Sequence, residues 1–260
     1  MKILFIGDVF GDAGVRTLEN SLRDIREEYE IDICIANAEN ASPRGIGLNR
    51  AASAALLGHG VDVITLGNHT WKDRDIFKIL GESENVIRPA NYPAGSPGSG
   101  SVVVNAGKAS VGVICVMGRI YMDCADCPFV ALDHEIGKVS RATNLIFVDA
   151  HCEATSEKCA LAHYADGRVS CVAGTHTHVQ TADERILAGG TAFITDVGMT
   201  GPSEGIIGME RNKIIRRLKS QIPERYEPAQ GRRQFSAIVA DIGDMSGKAV
   251  GIRRIWREYD

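Results

Sequence analysis

Residues 3–8 read Ile-Leu-Phe-Ile-Gly-Asp, a run of four apolar residues that ends in a glycine and a carboxylate. Short unbroken apolar runs are typical of strands that are buried on both faces, as in parallel sheets. Two later runs are mostly apolar and also end in polar residues: residues 31–36 end at Asn37-Ala38-Glu39-Asn40, and residues 61–66 end at Gly67-Asn68-His69. With helical segments between them, these runs predict a βαβαβ unit with parallel strands.

The two segments between these strands have the apolar spacing of helices. In residues 15–29, apolar residues recur every three or four positions and charged residues lie between them. The second helix is predicted at Arg50–Leu57, with Asn49 as its N-cap residue and with Gly58 and Gly60 at its end.

Beyond the Gly/Ser/Pro loop at residues 96–101, the pattern favours further strands and a second sheet. Residues 119–140 are the exception, because they lack clear periodicity. We interpret them as an excursion that covers the site or contacts a partner subunit. We therefore predict one α/β domain over residues 1–260 with two sheets. The other predicted elements are strands at 101–105, 110–117, 144–148, 169–173, 235–241 and 249–256, a turn at 106–108, a hairpin at 184–195 and a helix near 209–219.

The composition fits a soluble protein with a sizeable core, since 44% of its 260 residues are hydrophobic. A net charge of -4 and a pI near 6.0 argue against a stable nucleic-acid complex, for which the protein partner is usually basic. Residues 1–8 lack the features of a secretory signal, and no window reaches the ~20 apolar residues of a membrane helix. We expect a cytoplasmic protein without a membrane partner.

The seven cysteines are scattered and odd in number, so we interpret them as reduced and mostly buried thiols. Cys124 and Cys127 form a single C-x-x-C. A redox or zinc role for this pair stays an alternative, although no second C-x-x-C and no strand–turn–helix context supports it.

Polar side chains that can bind metal follow five of the apolar runs. Because the carboxyl ends of parallel strands meet at one edge of a sheet, we expect these side chains to lie close together. None of them favours burial without a partner. The residues are Asp8, Glu39, Asn40, Asn68, His69, His151, His176 and His178. Together they predict a dinuclear metal site.

The predicted ligands divide into two sets, one for each metal. His176 and His178 are separated by one residue, so in an extended segment their side chains point the same way and each could serve one metal. Glu39 is the candidate bridging carboxylate. Asp8 and Asn40 would complete one set, and Asn68 and His151 would complete the other.

The charge and chemistry of these ligands indicate what the site binds. Two carboxylates bring a charge of about -2 against about +4 from two divalent ions, which suits an anionic phosphate ester and a metal-bridging hydroxide that attacks phosphorus. Nitrogen and oxygen ligands without cysteine favour iron, manganese or zinc over calcium or copper(I). His69 directly follows a predicted ligand, so we assign it as the general acid that protonates the leaving oxygen.

Some of these residues have simpler interpretations. Asp8 follows a strand and could instead be the N-cap of the next helix. Asn37 and Asn40 could be turn residues, and we keep that interpretation for Asn37. Arg44 lies in a loop that follows Asn40, where it could bind phosphate or could be an ordinary exposed arginine.

The order of these motifs resembles that of the calcineurin-like metallophosphoesterases, and in particular their YmdB-type branch. Phe10 stands where the first motif of the wider superfamily has histidine, Glu39 stands where the bridging residue is usually aspartate, and Thr70 replaces an acidic residue. The branch implies that Asn40 supplies the ligand that Phe10 does not. The resembling stretches are GDVFG at 7–11, NAEN at 37–40, GNH at 67–69, VDAH at 148–151, THTH at 175–178 and TDVGMTGP at 195–202.

The resemblance implies a four-layer αββα fold, in which two mixed sheets are flanked by helices, and a centre of two iron or similar ions. It also implies a homo-oligomer with phosphodiesterase activity on small phosphodiesters, including cyclic nucleotides such as 2′,3′-cAMP or 3′,5′-cAMP. Two other functions stay open. One is a regulatory protein that binds metal and nucleotide with little turnover. The other is a metal-dependent amide hydrolase. The sequence pattern argues against it, because it lacks the eight βα units of such barrels.

Overall fold

Two β-sheets built largely from the predicted strands form the centre of the protein, in a computed structural model that describes residues 1–107 and 109–260. The strands of the first sheet are β1 (Lys2–Ile6), β2 (Asp8–Val9), β3 (Ile33–Asn37), β4 (Val63–Thr65), β5 (Val86–Ile87), β12 (Met199–Pro202), β13 (Arg233–Ile242) and β14 (Ala249–Tyr259). Those of the second sheet are β6 (Ser101–Ala106), β7 (Ala109–Met117), β8 (Ile146–His151), β9 (Cys171–Thr175), β10 (Arg185–Ile186) and β11 (Ala192–Ile194). The helices are α1 (Gly11–Tyr29), α2 (Arg50–Gly58), α3 (Ile76–Glu82), α4 (Pro128–Val139), α5 (Thr155–Ala165) and α6 (Arg211–Ser220), with a 3-10 turn at Thr70–Lys72.

The first sheet contains the predicted βαβαβ unit. Its strand order is β2-β12-β13-β1-β3-β4-β5, and β14 pairs with β13. β1, β3 and β4 are parallel neighbours connected by α1 and α2, which confirms the prediction. β13 pairs antiparallel with β1 and makes the sheet mixed. Because the parallel strands run the same way, the residues that follow β1, β3 and β4 meet at one edge.

The second sheet has the strand order β10-β11-β9-β8-β7-β6. β7, β8, β9 and β11 are parallel, whereas β6 and β10 pair antiparallel at the two edges. The predicted strands at 101–105 and 110–117 are confirmed as β6 and β7, and the predicted hairpin at 184–195 is confirmed as β10–β11. The predicted turn between β6 and β7 includes Lys108, which lies outside the described residues. The carboxyl ends of β8 and β9 deliver the second group of candidate ligands.

Three apolar clusters hold four layers together. Leu18 and Leu22 of α1 pack with the first sheet in a cluster that also includes residues of α2 and α3. The two sheets face each other through a second cluster, in which the rings of Phe5 and Phe147 lie 4.7 Å apart between centroids. The third cluster joins α4 and α5, including Leu161, to the other face of the second sheet. The predicted αββα layering is confirmed.

Residues 119–140 are only partly irregular, because their second half forms α4. Pro128 occupies the first turn of this helix, where a missing N–H removes no helical hydrogen bond. Leu132, Ile136 and Val139 are buried against the second sheet, with β7 as the main neighbour of the helix. The prediction of an irregular excursion is therefore wrong for residues 128–139. A role of the segment as a cover or a subunit contact stays a prediction.

Other local predictions agree with the structure. The side chain of Asn49 accepts a hydrogen bond of 2.8 Å from the backbone N–H of Ala52, so it caps α2 as expected. All seven cysteines are free thiols, and four of them are buried. Within residues 1–107 and 109–260, no helix combines the length and the apolar character needed to cross a membrane.

Candidate metal centre

The eight predicted site residues meet where the two sheets bring their strand ends together. Asp8 begins β2, and Glu39 and Asn40 follow β3. His151 is the last residue of β8, and His176 directly follows β9. Asp8, Glu39, Asn40 and His151 are all at most 2% exposed. Such burial of polar side chains is unfavourable unless they bind one another or a ligand.

One group of ligand atoms surrounds Nε2 of His151. This nitrogen lies 3.2 Å from Oε1 of Glu39, 3.1 Å from Nδ1 of His176 and 3.0 Å from Oδ1 of Asn68. Ligand atoms of Glu39, His151 and His176 all lie within 4.8 Å of one another. A group of two imidazoles, a carboxylate and an amide oxygen at this spacing fits a transition-metal ion.

A second group surrounds Oδ1 of Asp8. This oxygen is buried and, within residues 1–107 and 109–260, has no hydrogen-bond partner. Nε2 of His178 lies 3.8 Å from it, and the amide of Asn40 lies 3.2 Å from the same nitrogen. A buried carboxylate oxygen without a donor is unfavourable in a folded protein, whereas a bound cation would satisfy it. The residues present therefore fit a metal ion here too.

Glu39 lies between the two groups. Its Oε1 is 3.2 Å from Nε2 of His151 in the first group and 3.5 Å from the amide nitrogen of Asn40 in the second. Its Oε2 accepts a hydrogen bond of 2.7 Å from the backbone N–H of His69, which fixes the carboxylate plane. This is the position expected of a bridging ligand.

The segment that carries His176 and His178 is not extended. His176 has φ 97° and His178 has φ 66°, both in the region that L-residues rarely adopt. The expectation of an extended segment is therefore wrong. Nδ1 of His176 faces His151 while Nε2 of His178 faces Asp8, so the two imidazoles lie in different groups, and the division between two metals stays a prediction.

Burial governs the protonation of the centre. It lowers the pKa of His151 to about 4 and that of His176 to about 3, so both imidazoles are neutral near pH 7 and their lone pairs can bind metal. Burial also raises the pKa of Asp8 above its usual value of 3.8. The N-cap alternative for Asp8 is wrong, because α1 begins after Phe10 and has no side-chain cap.

Known proteins resemble this chain over nearly its whole length. The model of the family described as "YmdB-like protein" matches residues 4–255. The chain belongs to this family. A protein of Bacillus subtilis (strain 168) named 2′,3′-cyclic-nucleotide 2′-phosphodiesterase is 47% identical over 255 residues, which are 98% of this chain and 96% of that protein.

Two solved structures resemble this YmdB-like chain in sequence and in fold. A hypothetical protein from Thermus thermophilus is 44% identical with a TM-score of 0.94, and the comparison covers 100% of both chains. A structure described as a novel phosphatase from Mycoplasma pneumoniae is 33% identical with a TM-score of 0.92, over 99% of this chain and 93% of the other. The shared fold therefore extends over all layers and includes the edge where the candidate ligands meet.

The sequence reasoning missed a buried carboxylate behind the centre of this YmdB-like chain. Asp149 accepts a hydrogen bond of 2.7 Å from the hydroxyl of Thr175, and that hydroxyl lies 2.8 Å from Nδ1 of His151. The chain of contacts places a proton on Nδ1 of His151 and leaves its Nε2 free for metal. Asn37 makes the predicted turn, since its Oδ1 accepts from the N–H of Glu39 at 3.2 Å, and it also donates to Asp149 at 2.9 Å. The sequence contained a signal for Asp149, because it precedes His151 by two residues on the same strand and residues two apart on a strand share a face.

A cavity of about 600 Å³ opens onto the centre. Its lining is largely apolar, apart from a polar part that consists of Glu39, Asn40, His69, Glu153, His176, Thr177 and His178. The apolar wall includes Ile46, Ile206, Ile207, Met209, Leu218 and Tyr226. Arg44 is absent from the lining, so nothing in the structure favours the phosphate-binding interpretation of this residue.

Gly67 allows the two sheets to approach each other at the centre. A Cβ atom at this position would overlap the imidazole of His151 and Oε2 of Glu39. The glycine between β4 and Asn68 is therefore required by close packing of the ligands.

Proposed function

We propose that the protein is a metal-dependent phosphodiesterase that hydrolyses small phosphodiesters, in particular cyclic nucleotides such as 2′,3′-cAMP or 3′,5′-cAMP. The observation that carries the proposal is the pair of ligand groups on either side of Glu39, several of whose residues line a cavity. The name of the 47% identical relative supports the class of substrate. An amide hydrolase with an eightfold βα barrel has no support, because two stacked sheets stand in place of a barrel.

The donor set supports two metal ions, with iron first and manganese or zinc as alternatives. When bound, such a pair supplies a nucleophile at neutral pH and offsets the charge of the phosphoryl oxygens. Neutral histidines and two carboxylates leave the loaded centre positive, which suits an anionic diester. The residues that would hold the ions are His151, His176 and Asn68 for one, Asp8, Asn40 and His178 for the other, and Glu39 for both.

The contacts of His69 support a role as the general acid. Its side chain lines the cavity, and its Nδ1 lies 2.7 Å from Oδ1 of Asn40. The Asn40 amide lies between His69 and His178, and a half-turn of this amide exchanges its oxygen and nitrogen. In the turned orientation the oxygen faces the second ligand group, and the nitrogen donates to Nδ1 of His69. The proton of the neutral imidazole is then on Nε2, from which it can pass to a leaving oxygen.

The shape of the cavity supports a nucleotide as substrate. The reacting phosphate would lie against the metal ligands, while the rest of the substrate would contact the apolar wall. Tyr226 and Leu218 on that wall can pack against the face of a nucleobase. A small monoester such as a sugar phosphate would leave this surface uncovered.

The proposal is tested by metal quantification together with a kinetic panel. The protein is stripped of metal, reloaded separately with Fe²⁺, Mn²⁺ or Zn²⁺, and analysed by mass spectrometry for metal content. Turnover is measured on 2′,3′-cAMP, 3′,5′-cAMP, bis-p-nitrophenyl phosphate and p-nitrophenyl phosphate. We expect two ions per chain and a kcat/KM for the cyclic diesters at least about tenfold above that for the monoester.

Two other results would contradict the proposal. Two bound ions without turnover under any of the three metals would favour a regulatory protein that binds metal and nucleotide. A protein that binds no metal would remove the basis of the mechanism. Assembly into a homo-oligomer and a cytoplasmic location stay predictions.

A further inference from the structure

A buried ion pair lies behind the segment that carries two of the predicted ligands. Nζ of Lys158 in α5 is 2.6 Å from Oδ2 of Asp196, and both side chains are only 1% exposed. Neither residue lines the cavity. We propose that this ion pair is a positioning device that holds the segment His176-Thr177-His178 in the conformation that divides its two imidazoles between the two metal positions.

The contacts of Asp196 reach the centre of this segment. Its Oδ2 accepts hydrogen bonds from the backbone N–H of Thr177 at 3.1 Å and from the hydroxyl of Thr177 at 2.7 Å. Its Oδ1 accepts from the backbone N–H of Gly198 at 2.8 Å. Thr177 lies between the two histidines, so a carboxylate that binds both of its donors fixes the peptide group between His176 and Thr177 together with the Thr177 side chain.

The conformation held in this way is one that the segment would not adopt on its own. Both histidines have positive φ angles, which are unfavourable for residues with a Cβ atom. In an extended segment both histidine side chains would point to the same face. With these φ angles, His176 contacts His151 and His178 contacts Asp8, so the backbone conformation itself separates the two ligand groups.

Lys158 allows the carboxylate of Asp196 to be both buried and charged. The donors of Thr177 and Gly198 offset only part of the cost of burying this carboxylate, and the ammonium group of Lys158 adds a charge of opposite sign 2.6 Å away. Gly174 in β9 makes room for the lysine stem, because a Cβ atom there would lie 2.8 Å from Cδ of Lys158 and would overlap the carbonyl of Thr195. The ion pair therefore connects α5, β9 and the strand end at Asp196 to the histidine segment.

This inference rests on the metal centre of the proposed function but not on the reaction. Its test measures metal affinity and ligand geometry in the full-length protein. Thr177→Val removes the hydroxyl that donates to Asp196 and leaves every predicted ligand side chain in place, whereas Thr177→Ser keeps the hydroxyl. Affinity for Mn²⁺ is measured by competition with a chelator, and the visible absorption of Co²⁺-loaded protein reports the ligand geometry.

We expect Thr177→Val to weaken Mn²⁺ binding by about tenfold and to change the Co²⁺ spectrum, while Thr177→Ser keeps both near wild type. Asp196→Asn should weaken binding further. Asp62→Asn is the matched control, because Asp62 pairs with Arg26 at 2.9 Å and accepts from the N–H of Cys34 at the opposite ends of the strands. This control should lower the melting temperature without a change in metal affinity.

The inference is overturned if Thr177→Val binds Mn²⁺ as tightly as the wild type and gives the same Co²⁺ spectrum. The ion pair would then only stabilise the fold. This outcome decides the question even if Asp196→Asn fails to fold. A wild-type protein that binds no metal would overturn the proposed function and this inference together. If the wild type binds metal and Thr177→Val binds it equally well, only this inference fails.

Discussion

His69 differs from the other three histidines of the centre in its contacts. His151, His176 and His178 direct ring nitrogens at the two ligand groups, whereas His69 lines the cavity and directs Nδ1 at side chains of Asn40 and Glu39, at 2.7 and 3.4 Å. Burial lowers the pKa of His69 below its usual value of 6.5, which favours the neutral ring. A neutral ring can donate only from the nitrogen that carries the proton, so Asn40 determines whether His69 can act as an acid.

Replacement of His69 by alanine should separate metal binding from proton transfer. We expect His69→Ala to keep its metal content and to lose about a hundredfold in kcat on 3′,5′-cAMP, whose ribose oxygen needs a proton to leave. The loss should be much smaller on bis-p-nitrophenyl phosphate, because nitrophenolate leaves without protonation. The control is His59→Ala, at the exposed end of α2. An equal loss on both substrates would contradict the role as an acid.

The lowered pKa of His176 makes a prediction for the metal-free protein. The histidine binds a proton near pH 6.5 when unfolded but only near pH 3 when folded, so its contribution to stability is lost as the pH falls below 6.5. Between pH 7.5 and 5.0 this loss is about 2 kcal/mol. His176→Gln should therefore lose about 2 kcal/mol less than the wild type over this range.

Urea unfolding of the two metal-free proteins at both pH values measures this difference. The pKa of Asp149, which burial raises to about 7, has the opposite effect on stability. It is present in both proteins and cancels in the comparison. An identical loss in the variant and the wild type would show that His176 is protonated in the folded protein at pH 5.

At the scale of elements, the sequence predicts those strands and helices whose apolar periodicity follows directly from their burial. The parallel strands β1, β3 and β4 and the helices between them follow from apolar periodicity, because both faces of these strands are covered. The boundaries shift by about two residues, as at β3, which was predicted at 31–36 and lies at Ile33–Asn37. The helix α4 was missed because apolar residues outside its buried stripe, such as the exposed Val130, obscure the helical period.

The site was predicted as a set of residues but not as a conformation. Chemistry at strand ends selects the candidate ligands, since parallel strands must bring their ends together. The backbone after β9 could not be predicted, because positive φ angles at two histidines leave no signal in the residue types. The pair Lys158–Asp196 was missed for a related reason. Its partners are 38 residues apart and lie on different elements, and only the tertiary fold brings them together.

At the scale of the molecule, the candidate metal centre joins the two sheets. Glu39, Asn40 and Asn68 follow strands of the first sheet, whereas His151, His176 and His178 end or follow strands of the second. Apart from this edge, the sheets are held together by the apolar cluster around Phe5 and Phe147. Bound metal would therefore add cross-links between two layers that already meet through side-chain packing and through hydrogen bonds such as the one from Asn37 to Asp149.

Removal of metal should consequently weaken the contact between the sheets and not one sheet alone. Addition of Mn²⁺ at a hundredfold excess over its Kd should stabilise the stripped protein by about 2.7 kcal/mol for each ion bound, measured by urea unfolding. Hydrogen exchange should slow at the carboxyl ends of β3 and β4 and equally at those of β8 and β9. His176→Gln is the control. It removes one predicted ligand, which follows a strand of the second sheet, and should strongly reduce the stabilisation by Mn²⁺. Protection limited to one sheet would mean that the metal does not bridge the layers, because a ligand bound across an interface must stabilise both of its sides.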